Sequence, residues 1–308
     1  MSKIQMRRKT IATFDGLFDD FIKSCKVKNL SPATLRYYNE CYNTLRQFQQ
    51  HILLEEINPS FVQDYTLFLQ ERMSLNSVNT RLRGFRSVCN YGYTNGYLGK
   101  VTVKKVKVDQ EVKETYTDEQ IRALLNKPNL KECSFAEYRN WVIINYLIST
   151  GNRLSTITNL KIKDVDLENQ LITLRHTKNR TQQIIPLASS MCKILREYLQ
   201  YRGGALDDYL FPSINDVKLT KSTIISAIKN YNLSRGVSMF SIHAFRRYFA
   251  KQCVLNGMDT FTLQRLGGWK DLEVVKNYIK IYATDIKNYD SINLLEILYS
   301  KTDKTIKM

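Results

Sequence analysis

Three short stretches of the chain hold side chains that can act on a phosphate. In TGNRLSTI, Arg153 follows a Gly-containing break after the apolar run WVIINYLIS. Its planar guanidinium fork matches two phosphate oxygens in a way that a lysine ammonium does not. Taken alone, such an arginine is better read as a solvated residue at a helix start. In SIHAFRRYF, His243 and Arg246 are three apart on an apolar helical pattern, so they share a face and can hold a phosphate from one side. Arg247 also lies one turn from His243, and spacing does not choose between the two arginines. An isolated HxxR is more often a core histidine beside a surface arginine. In LGGWKDLEVVKNYIK, Trp269 precedes Tyr278 by nine residues, after a Gly-Gly break. With nineteen tyrosines in the chain, one beside Val274 and Val275 is ordinarily a packing residue. The ordered set is another matter. TGxR, then HxxR, then LGxW with a tyrosine nine residues on spans about 125 residues and is much less expected by chance than any one member.

The elements that must position these residues are mostly helical. Thr13 caps a segment with Phe14, Leu17, Phe18, Phe21 and Ile22 on one stripe, and Ser31 with Pro32 opens a second. Asn58 with Pro59 begins a third, and Ser77 a fourth carrying Val78, Leu82, Phe85 and Cys89. Residues 1–100 therefore read as a four-helix domain. The stretch 101–115, VTVKKVKVDQEVKET, alternates apolar with charged residues and reads as an extended linker or short strand. A second domain, 116–308, opens at Thr117, whose capping-box partner is Gln120. It continues with a buried helix at 136–149 and one β signal, LITLRHTKNRTQQIIPL, which reads as a hairpin around a cationic turn. Helical spacing resumes near 188–201, 219–231, 241–256, 259–266 and 271–282, and an apolar stretch closes the chain. The fold class expected is mainly α with a small β-hairpin or sheet, in two domains.

Composition says what such a protein meets. Lys and Arg number 46 against 29 Asp and Glu, a formal charge of +17, and they are spread over the whole length. An extended polyanion suits that distribution, nucleic acid before an anionic membrane. The six cysteines form no CxxC pair, and the three histidines stand in no HExxH motif, so neither a metal nor another cofactor is expected. With no run of about 18 apolar residues, a cytoplasmic location and no membrane contact are expected.

With these motifs in this order, the chain resembles the tyrosine recombinases, or phage integrases, from Phe14 to the last helix. The resemblance implies a two-domain DNA clamp: a SAM-like helical core-binding domain and an α+β catalytic domain. It places the catalytic arginines on Arg153 and Arg246, leaving Arg247 a bystander, with His243 beside them and the nucleophile on Tyr278. The position usually held by a second histidine is Trp269, whose indole N–H can still donate to phosphate. The family's hairpin lysine falls on Lys178, ahead of Arg180, Lys161 and Lys163. Thr156 stands where members commonly carry an acid, which puts the bracing of the arginines in doubt. In the first domain Arg81, Arg83 and Arg86 interleave with the apolar stripe as candidate phosphate contacts.

What the resemblance implies is cleavage and rejoining of DNA through a 3′-phosphotyrosyl intermediate, without metal or ATP. The expected partners are double-stranded recombination sites, a homo-tetramer docked through a tail at about 287–308, and accessory DNA-bending or directionality proteins. Departures at Thr156 and Trp269 lean towards an integrase or transposase of a mobile element. The alternatives are an Xer-like chromosome or plasmid dimer resolvase, a type IB topoisomerase, and a non-catalytic DNA-binding regulator.

Overall fold

The computed structural model describes residues 11–109, 114–175 and 182–276 of the chain. It divides into two compact units, Met1–Glu111 and Val112–Met308. In the first, α1 (Phe14–Val27), α2 (Pro32–Phe48) and α3 (Pro59–Gln70) start behind Thr13, Ser31 and Asn58, whose side-chain oxygens accept from the backbone N–H of Gly16, Thr34 and Phe61. Each cap satisfies one of the amide donors that a helix start leaves without an intrahelical partner. The fourth helix, α4 (Leu75–Thr94), begins behind Ser74 and not at Ser77. Ser74 has the extended backbone of a cap, and Ser77 sits inside the first turn with its hydroxyl 3.1 Å from that of Ser74. The apolar stripe gave no hint of this extra turn, because its first buried residue is Val78.

The core of this unit is aromatic: Phe14, Phe18, Tyr65 and Phe85 are buried, with the rings of Phe18 and Tyr42 stacked 4.1 Å apart. Residues 101–109 form no strand among the described residues. Val103 is buried in the first unit's core, so the start of the stretch that alternates in sequence is packed backbone. Its anchor is Asn79, which donates to the Val106 carbonyl at 2.9 Å and accepts from the Val106 N–H at 2.8 Å.

The second unit opens with α5 (Asp118–Leu125), where the Thr117 and Gln120 capping box forms in both directions. At its centre lies α6 (Phe135–Thr150), buried on almost every side from Tyr138 to Leu147, as expected of a helix that is apolar all round. After the short α7 (Leu154–Ile157) come β1 (Val165–Asp166), β2 (Leu171–Leu174) and β3 (Gln183–Pro186), an antiparallel sheet in the order β1-β2-β3. The expected hairpin is β2 with β3, in a register that pairs Leu174 with Gln183. Two residues are too few to show alternation, so β1 is a strand that the sequence did not announce. α8 (Ser189–Arg202), α9 (Lys221–Ser234), α10 (Ile242–Leu255), α11 (Thr260–Gly267) and α12 (Leu272–Lys276) complete the described chain.

Replacing Asn79 with Leu removes both bonds to Val106 and leaves a part-buried amide and carbonyl unmatched, a cost of about 1–3 kcal/mol at this site. Hydrogen exchange at the Val106 amide should quicken in that variant; unchanged protection would mean that the segment is held by apolar packing instead.

Candidate active site

Arg246 is the deepest cation among the described residues of the second unit, 1% exposed on α10. Its Nη1 donates to the Gly151 carbonyl at 2.7 Å and its Nη2 to the Gly267 carbonyl at 2.6 Å. The guanidinium carbon lies 3.9 Å from the ring centroid of Trp269, close enough for a cation–π contact. Arg153, at the cap of α7, reaches the same loop: its Nη1 donates to the Gly268 carbonyl at 3.2 Å. Sequence motifs more than a hundred residues apart thus converge on a single Gly-Gly-Trp loop.

The backbone explains why the residues that accept from both arginines are glycines. Gly151 ends α6 in the left-handed region at φ 59°, which turns the chain towards Arg153 and points its carbonyl at Arg246. A Cβ there would also collide with the Phe249 ring. At Gly267 a Cβ would fall on the six-membered ring of Trp269, so only glycine lets the indole lie back against α11. The indole is buried in a small cluster with Phe249, Ala250, Leu263 and Val275, which fixes its plane beneath Arg246.

Arg247 is turned elsewhere. Its Nε and Nη2 both donate to the Glu114 carbonyl, at 3.0 and 2.7 Å, on the segment that leads into α5. Helical spacing left the two arginines equivalent, whereas the structure puts Arg246 with Arg153. His243 stands exposed on the first turn of α10, one turn before Arg246. Lys178 and Tyr278 lie outside the described residues, as does Arg180. Lys161 and Lys163 both pair with Asp207, at 3.1 and 2.5 Å. In the first unit Arg81 contacts Glu40 at 3.3 Å and the Cys41 sulfur at 3.8 Å, between α2 and α4, while Arg83 is exposed and Arg86 half-buried.

A cavity of about 320 Å³ opens beside Arg153, lined among others by Asn152, Thr156, Gln183, Gly268 and Trp269. Thr156, in the place of the expected acid, is buried on its wall. Asn152 and Gln183 are among the lining residues that the sequence reading missed. Asn152 donates at 2.7 Å to the hydroxyl of Tyr146, whose phenol is pushed above its ordinary value by burial, with the Asn152 bond pulling the other way. Gln183 donates to the Arg265 and Leu266 carbonyls at 2.6 and 3.1 Å and so ties β3 to the end of α11. A signal for Asn152 exists in its place between Gly151 and Arg153; an amide within a strand pattern gives none for Gln183. Among the described residues no three His, Cys, Asp or Glu side chains gather as a metal-ligand group, and no described helix is long and apolar enough to cross a membrane.

The Phage integrase family model matches residues 114–284, and the Phage integrase SAM-like domain model matches 13–108. Among curated relatives, a tyrosine recombinase of Pseudothermotoga lettingae is 23% identical over 290 residues, covering 90% of this chain and 96% of that protein. Tyrosine recombinase XerA of Pyrococcus furiosus is 25% identical over 304 residues, covering 95% and 99%. Among solved structures, the integrase of transposon Tn1549 in complex with transposon right end DNA superposes with a TM-score of 0.75 at 18% identity, over 95% of this chain and 99% of that one. A lambda integrase tetramer bound to a Holliday junction gives 0.71 at 15% identity, over 88% and 78%. At these identities the structural likeness speaks for the fold.

The packing of the loop can be read optically. The chain has two tryptophans, and with Trp141→Phe as background the remaining emission reports Trp269. Gly267→Ala should shift that emission to the red as the ring is pushed out; an unmoved, blue emission would show that the loop tolerates a Cβ.

Proposed function

Because the chain belongs to the phage integrase family, whose model covers more than half of it, we propose that it is a site-specific tyrosine recombinase acting on double-stranded DNA. The observation that carries this reading is the convergence of Arg153 and Arg246 on one glycine loop beside an open, polar-walled cavity. Two fixed guanidinium groups suit the non-bridging oxygens of a phosphodiester, whose negative charge grows in the transition state. In this reading the Tyr278 oxygen attacks the scissile phosphorus, the bond to the 5′ oxygen breaks, and a 3′-phosphotyrosyl link forms. A tyrosine hydroxyl, with a pKa of about 10, needs help to lose its proton, and in this reading His243 assists. Lys178 would protonate the departing 5′ oxygen, and Trp269 would hold a phosphate oxygen while its ring steadies Arg246. The energy of the broken bond stays in the new one, so a 5′ hydroxyl from another strand can reverse the step with no cofactor and no nucleotide hydrolysis.

Strand exchange between two sites calls for four copies, and we assign the assembly to a homo-tetramer in which residues of about 287–308 dock on a neighbouring protomer. Arg83 and Arg86 on α4 are the better placed phosphate contacts of the first unit, since Arg81 is already engaged. For the biological role we favour a mobile element, on the departures at Thr156 and Trp269. The Xer names of several curated relatives favour a second reading, resolution of chromosome or plasmid dimers. Sequencing the DNA junctions made in cells separates the two: junctions with unrelated insertion sites favour the element, and repeated joining at one chromosomal or plasmid site favours the resolvase.

Three outcomes are expected on nicked duplexes selected from a random library for tight binding to the full chain. Tyr278→Phe should lose the covalent protein–DNA adduct and keep binding, because it deletes one oxygen and no cation; an adduct that persists would move the nucleophile to another tyrosine. Arg246→Ala should slow cleavage by at least about 10²–10³-fold, the usual loss for one transition-state donor, with Arg247→Ala distinctly milder; equal losses would refute the assignment of the pair. Deleting residues 287–308 should leave single-site binding but abolish four-subunit complexes on native gels, and normal tetramers would return the tail to its own subunit.

A further inference from the structure

Phe261 is 69% exposed, although it sits on α11 beside the cavity that Arg153 faces. Single exposed apolar residues are ordinary on a protein surface, so exposure alone means little. The place is what matters. α11 buries Leu263 and Gly267 on one side, where the Trp269 cluster packs. Phe261, Gln264 and Arg265, at i, i+3 and i+4, lie on the other side and line the same cavity. The ring serves no hydrophobic core among the described residues. Both ends of this helix face are fixed. The Asp259 carboxylate accepts from the N–H groups of Phe261 and Thr262 at 3.0 and 2.9 Å, and the Arg265 carbonyl accepts from Gln183. Gln264, between them, is turned onto the Lys270 carbonyl at 3.0 Å, which leaves an aromatic ring and a guanidinium facing outwards.

A ring beside a cation four residues on, about 6 Å along the axis, matches the outside of a DNA strand, where an apolar deoxyribose alternates with an anionic phosphate. Resting on the recombinase reading of the cavity, we propose that Phe261 and Arg265 seat the nucleotide next to the scissile phosphate. Phe261 packs on its deoxyribose, and Arg265 holds the phosphate on its far side. The base of that nucleotide is left in the duplex stack, because extruding it would cost unstacking that a surface ring does not repay. Phe261 is then a positioning residue: it fixes how far the strand slides along the cavity, and with that the phosphorus that reaches the two arginines.

The test uses the full chain on its selected duplex. With p-benzoylphenylalanine in place of Phe261, irradiation should crosslink the protein to the nucleotide flanking the cleavage point, mapped by primer extension. Phe261→Ala should bind within threefold of the parent, cleave bound substrate about tenfold more slowly, and spread cleavage to neighbouring phosphates; Phe261→Leu should recover most of the rate and the single cleavage position. Arg265→Ala should lower the slope of log affinity against log salt by about 0.9, the value for one phosphate contact. Binding and Tyr278-dependent cleavage with crosslinks only elsewhere, or only to another protomer, would overturn this proposal and leave the recombinase reading standing. So would a Phe261→Ala variant that cleaves at the parental rate and position. A parent chain that binds DNA but forms no covalent adduct would overturn both.

Discussion

A guanidinium withdrawn from water must find donors' partners inside the fold, and the second unit is arranged around meeting that demand for Arg246. Two backbone carbonyls accept from it, one from the end of α6 and one from the end of α11, and the Trp269 ring lies against its face. Carbonyls orient a cation without removing its formal charge, and in the proposed reading that charge acts on the phosphate from behind the Gly267–Gly268–Trp269 wall of the cavity. The same three contacts decide local structure around it. Gly151 has to be glycine for its turn and for the Phe249 ring, Gly267 has to be glycine for the indole, and α10 has to run between them. Arg153 is then placed by the turn at Gly151 and anchored by the loop at Gly268. Positioning of both arginines is thus a property of helix ends, which are rigid where a long loop would not be.

Thr156 acquires a physical meaning in this arrangement. An acid at that place could brace an arginine by charge. Here the bracing of Arg246 includes carbonyls and an aromatic face, and Thr156 is a small buried wall residue of the cavity. Trp269 has a comparable double use, filling the cluster under α10 while also lining the cavity. The indole therefore couples the cavity to packing.

Much of this was legible in the sequence, for identifiable reasons. The caps at Thr13, Ser31, Asn58 and Thr117 were readable because capping is a local bond between residues two or three apart. The order of the three motifs was readable because their residue types carry the chemistry. Whatever depends on distant backbone was not. Arg246 and Arg247 are equivalent by period and are told apart by what each one meets, the Gly151 and Gly267 carbonyls and the Trp269 ring against the Glu114 carbonyl. Arg81 looks like a free surface cation until Glu40 of α2 is brought against it. Gln183 owes its place to the register of β2 and β3, which no residue type encodes. β1 and the first turn of α4 were missed because two residues make no period and Ser74 precedes the stripe.

In the proposed reading the two converging arginines act by countering the charge of a phosphate in the cavity. The most direct test of that role uses a duplex in which one non-bridging oxygen of the scissile phosphate is replaced by methyl, a methylphosphonate of similar shape without the negative charge. If Arg246 works by charge, Arg246→Ala should cleave this neutral link far better than the ordinary phosphate, approaching the rate of the parent protein on the same substrate. An Arg246→Ala variant as inactive on the methylphosphonate as on the phosphate would show that Arg246 holds the fold and does not meet the phosphate charge.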